Sequence, residues 1–144
     1  MDVTDRLKGQ MNGIDEFVIR GGQGVTAGEM EAFRRRLPFL KVKAETLDVP
    51  EFPHLQSQIR FLARYAEDVL DQVYPCSDLE AIAETVFALD YLLKEVDIIP
   101  DSVPHVGFAD DSAVLRAVLK GHESEFRAFS KKFGLDFDSV TTES

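Results

Sequence analysis

Apolar residues recur along this chain at intervals of three and four, and the recurrence breaks at glycines and prolines, which is the pattern of amphipathic helices separated by stops. Residues 4–19 predict a first helix carrying Met11, Ile14, Phe17 and Val18 on one stripe. It is expected to end at Gly21-Gly22-Gln23-Gly24, which reads as a flexible connector because the Lys-Ser/Thr pair of a phosphate-binding loop is missing. Thr26 and Glu29 have the spacing of a capping box, and they open a second helix to about Leu37, where Pro38 is expected to stop it. Residues 38–53, with Pro38, Pro50 and Pro53, read as a connector.

Leu55, Ile59, Leu62, Ala66, Val69 and Val73 then form one apolar seam at alternating spacings of four and three, ended by Pro75. Ser77 with Glu80 has the form of a second capping box. The helix it opens runs from Asp78 to about Glu95, with Leu79, Ile82, Ala83, Val86 and Leu93 inward and Asp90 breaking that stripe. Ala113, Val114, Ala117 and Val118 mark another helix ending near Gly121, and Phe126, Phe129 and Phe133 mark a last one before Gly134. The polar residues 136–144 are expected to fray. The fold class is therefore all-α, a small bundle of five to six helices with a long Pro/Asp-rich connection over 97–109. We read 1–144 as one domain: a helical pair at 1–37, the connector at 38–53 and a helical core at 54–135.

Composition narrows the class without identifying it. The chain has 144 residues, 44% of them apolar, with eleven Phe that need a core. No run approaches the ~18 apolar residues of a membrane span, and Met1-Asp2-Val3-Thr4-Asp5 does not resemble a basic or apolar targeting segment. A single cysteine, Cys76, fits a reducing compartment, so a cytoplasmic location is expected. The net charge of −10 is concentrated in residues 44–115, which hold fifteen acids against three bases, an arrangement that repels nucleic acid. The only basic cluster, Arg34-Arg35-Arg36 with Lys41 and Lys43, reads as a solvated helix end. Cys76 beside a predicted helix start reads as a small half-buried residue rather than an activated thiol, and His54 and His122 read as loop residues without metal-ligand spacing.

One segment carries a signature. Asp97, Ile99, Pro100, Asp101, Pro104, Gly107, Asp110 and Asp111, with Tyr91 six residues before the first Asp, form a multi-point pattern over about residues 80–120. Two prolines four apart forbid a continuous helix, and Gly107 permits a turn. This pattern resembles the YkvA-like family, a family of unknown function. The resemblance implies a helix–loop–helix core and brings no activity with it; Glu95 departs from the family's usual proline two residues before the first Asp. Read bare, Asp110 or Asp111 caps the following helix, and Asp97 and Asp101 accept backbone N–H groups around Pro100. Alternatively Asp97, Asp101, Asp110 and Asp111, with His105 adding a nitrogen, gather a divalent cation such as Mg²⁺, Mn²⁺ or Ca²⁺. The expected function is a non-enzymatic structural or protein-interaction module without a cofactor, docking to a protein partner or to itself. The alternatives are a carboxylate-rich metal-binding protein, including a metal-dependent hydrolase, and a peripheral membrane module using the basic cluster.

Overall fold

The computed structural model describes residues 13–47, 50, 52–76, 78–98 and 108–140. Among the described residues there are six α-helices and one short 3-10 turn, and no strand. The helices are α1 (Gly13–Gln23), α2 (Ala27–Thr46), α3 (Leu55–Leu70), α4 (Leu79–Ile98), α5 (Phe108–Gly121) and α6 (Glu123–Phe133), followed by the 3-10 turn Phe137–Ser139. The all-α bundle expected from periodicity is the fold. Helix α4 is its axis, packing against α1, α2, α3 and α5.

That central position explains why the seam read for α4 is incomplete. Ile82, Val86 and Leu93 are buried as expected, but so are Ala81, Ala88, Leu89 and Leu92, because neighbours surround the helix. Leu79, expected inward, is 75% exposed as the first residue of the helix. Asp90, the residue that broke the stripe, meets Arg36 of α2 at 2.8 Å. Helix α3 buries Leu55, Ile59, Leu62 and Ala66 but ends at Leu70, before Pro75 is reached. Gln72 adopts a left-handed φ of 62°, and Val73 N–H donates to Asp68 O while Gln72 N–H donates to Val69 O. These two bonds are a Schellman closure made without glycine, and they turn Val73 outward to 54% exposure.

Three further expectations are corrected. Gly21 and Gly22 belong to α1, where they let the helix approach α4: a Cβ on Gly22 would lie 2.5 Å from Glu84 Cγ, and one on Gly21 would lie 2.3 Å from the Phe87 ring. Helix α2 runs through Pro38 to Thr46, so residues 38–46 are not a connector. Pro38 is exposed, and the buried stripe Phe33, Leu37, Leu40, Ala44 continues on both sides of it, so packing outweighs the lost backbone bond. The chain after Gly134 docks back, burying Phe137 against Phe61 and Phe126. The Thr26 cap is as expected, accepting Glu29 N–H at 3.1 Å. Met11 lies outside the described residues.

Candidate functional site

The link between α4 and α5 is residues 99–107, so Ile99, Pro100, Asp101, Pro104, His105 and Gly107 lie outside the described residues. Asp97 is backbone of the last turn of α4, two residues beyond the expected end of that helix. Asp110 and Asp111 are the third and fourth residues of α5. A cap needs non-helical backbone, so neither aspartate is the N-cap; Asp111 is instead buried at 1% exposure. Tyr91 is half-buried with its ring edge-on to Phe17 at 5.6 Å, beside Phe87. Among the described residues no group of three metal-ligating side chains comes together.

The polar residues that do converge sit at the other end of the hairpin, around the start of α4. Asp78 precedes that helix and accepts Ala81 N–H through Oδ1 at 3.1 Å, doing the capping expected of Ser77, which lies outside the described residues. Helices α5 and α6 are separated by His122 alone, so the chain turns a corner there and carries the imidazole inward, 4% exposed. Its Nε2 stands 3.0 Å from Glu84 Oε1 and its Nδ1 stands 3.5 Å from Asp78 Oδ2. Glu84 is itself buried, at 2% side-chain exposure, under Gly22 of α1. The two carboxylates lie at opposite edges of one ring, so a single ion cannot touch all three groups, and the imidazole bridges them instead.

Asp78 also connects this bridge to a second cluster. Its backbone oxygen accepts from the Cys76 thiol at 3.1 Å, and the same thiol lies 3.2 Å from Glu125 Oε2. Glu125, in the first turn of α6, further accepts the Tyr65 hydroxyl at 2.8 Å and the Tyr74 hydroxyl at 3.4 Å. Burial foremost, with Glu125 adding to it, pushes the Cys76 thiol up to about 11. Burial also raises Tyr65 and Tyr74, reinforced by Cys76 and Glu125. A reactive cysteine needs the opposite shift, so this thiol is a proton-bearing donor at neutral pH. Around the cluster Tyr65, Tyr74, Phe126 and Phe129 pack edge to face at 4.9–5.2 Å. The Phe126 and Phe129 stripe read from the sequence is therefore core.

Sequence reasoning placed His122 on a loop and missed Glu84, Tyr65, Tyr74 and Glu125. The available signal was position: Tyr65 falls between Leu62 and Ala66 of the α3 seam, and Glu84 between Ile82 and Val86, where a polar tip must find a buried partner. The basic cluster is engaged by the chain's own acids: Arg34 with Asp71 at 2.7 Å, Arg36 with Asp90, and Lys41 with Glu67. These cations lie within α2 rather than at its end. His54 stands at the start of α3 and makes no side-chain cap bond.

No helix among the described residues is long and apolar enough to cross a membrane. No curated protein and no solved structure matches the chain. The DUF1232 model, described as a protein of unknown function, matches residues 81–116, which run from the first turn of α4 to the middle of α5. DUF1232 is the YkvA-like family of unknown function, and the similarity of this chain to it covers the hairpin, about a quarter of the sequence.

Proposed function

We propose that this chain is a non-enzymatic protein-interaction module in which the family hairpin is a rigid spine for docking surfaces on the outer helices. The observation that carries this reading is how the reactive side chains are used. His122 bridges Glu84 and Asp78, and the Cys76 thiol and Tyr65 hydroxyl meet Glu125, so these groups tie α3, α4 and α6 together. Large apolar side chains stand outside the bundle, with Val42 65% exposed beside Phe39 on α2 and Leu79 75% exposed beyond Val73 at the α3–α4 corner. Exposed apolar groups of this kind suit a protein partner or a second copy. A reducing, cytoplasmic setting belongs to the same proposal, since the lone Cys76 serves as a thiol donor.

The experiment is site-specific photo-cross-linking in the cell that makes the protein, with the reactive group placed at Leu79 or Val42. A discrete adduct of constant mass from one of the two positions is expected. Diffuse labelling from both, equal to that from the exposed control position Arg35, contradicts the proposal. A divalent-cation site at the loop end of the hairpin is kept as a second reading because of one observation: Asp111 is a buried carboxylate where a cap was expected.

A further inference from the structure

Helices α1 and α5 pack together, and between them they leave a cavity of about 190 Å³ lined by Ile14, Asp15, Ala113, Arg116, Ala117 and Lys120. Ile14 and Asp15 come from the start of α1, and the other four share one face of α5. Arg116 and Lys120 are four residues apart, so they stand on successive turns with their Cβ atoms about 5–6 Å from each other.

Arg116 differs from the other arginines. The chain carries twenty-six acids against sixteen bases, and every other described arginine pairs with a carboxylate of this chain. Arg116 makes no ion pair among the described residues, although it is half-buried. Its Nε donates to the Ser112 carbonyl oxygen at 3.3 Å, one turn back along the same helix. That bond holds the stem of the fork and leaves its terminal N–H groups to another acceptor. Lys120, exposed at the next turn, also makes no ion pair among the described residues. In so acidic a molecule, a half-buried guanidinium without a carboxylate is the exception, and it lies on a cavity wall with a second such cation beside it.

We propose that this cavity binds the phosphate group of a small soluble phosphomonoester, with Arg116 and Lys120 sharing its oxygens. A carboxylate presents two coplanar oxygens, which a single guanidinium satisfies. A phosphomonoester presents three oxygens and nearly two negative charges, which suit a planar fork beside a point charge. The third charged group on the lining is Asp15, which leaves the lining at a net +1 and opposes the anion from the α1 wall. The site is independent of the docking surfaces proposed above.

The test is amide NMR of the full chain titrated with inorganic phosphate and with phenyl phosphate, at constant ionic strength. Saturable shifts confined to residues 13–16 and 113–120 are expected with both probes. Lys120→Gln, at an exposed position, is expected to weaken binding about threefold or more, and Arg116→Gln about fivefold or more. Asp15→Asn is expected to strengthen it about twofold or more, because a like charge is removed. Lys131→Gln, at an exposed position on α6, is expected to leave it unchanged. Where Arg116→Gln does not fold, the Lys120→Gln and Lys131→Gln comparison decides. Shifts that do not saturate or that spread over other helices overturn the proposal, as does an equal loss in Lys120→Gln and Lys131→Gln. Binding to phosphatidate vesicles with none to either soluble probe overturns it as well.

Discussion

Three donors converge on Glu125: the Tyr65 hydroxyl from α3, and the Tyr74 hydroxyl and Cys76 thiol from the segment that follows it. Hydrogen bonds to a charged acceptor contribute about 1.5–3 kcal/mol, so Tyr65→Phe is expected to cost about that much in denaturant unfolding. A loss below about 0.5 kcal/mol would mean the cluster is incidental to stability. The same cluster sets an alkaline limit. Cys76 is raised from 9.0 in the folded chain to about 11, and Tyr65 and Tyr74 are raised as well. Below pH 9 each group is protonated in both states and its contribution is fully present. As pH rises from 9 toward 11 the unfolded chain ionises first, so stability falls through that window. Melting temperature measured from pH 7 to 11 is expected to drop above pH 9, less steeply in Cys76→Ala. A flat profile would show that these protons are not held by the fold.

At the scale of elements, glycine and proline did not mean what local rules assign them. Gly21 and Gly22 read as a break because an isolated helix gains nothing from glycine, yet their value lies in the approach of α4, a contact over sixty residues away in sequence. Gly22→Ala is expected to cost about 1–3 kcal/mol through overpacking on Glu84. Gly28→Ala, with only the Thr26 hydroxyl near at 3.8 Å, is expected to stabilise by up to about 1 kcal/mol. Equal effects of the two would return the first pair to a flexible connector. Pro38 is the parallel case: restoring its backbone N–H with Pro38→Ala is expected to stabilise the protein by about 1 kcal/mol or more, since α2 already passes through that position. Helix existence was legible because periodicity is local; the ends of α3 and α2 were not, because a Schellman turn at Gln72 and packing across Pro38 decided them.

For the molecule as a whole, the family hairpin is the central element, and what makes it central is polar as well as apolar. The sequence drew attention to the aspartates at the loop end, whereas the described polar bridge lies at the opposite end, where His122 returns against Asp78 and Glu84 at the start of α4. Such a site has no sequence spacing to read. If Asp111 is structural, the melting temperature of the wild type is the same in chelator and in millimolar Mg²⁺, Mn²⁺ or Ca²⁺; a large rise with one ion that Asp111→Asn abolishes would establish the cation reading. The central claim is that the buried polar groups serve to couple helices, and a double-mutant cycle on Glu84→Gln and His122→Gln tests it most directly. Denaturant unfolding of wild type, both single variants and the double variant is predicted to give a coupling of about 1 kcal/mol or more. Additivity within about 0.3 kcal/mol would contradict the account, because two buried groups 3.0 Å apart would then be contributing nothing to each other.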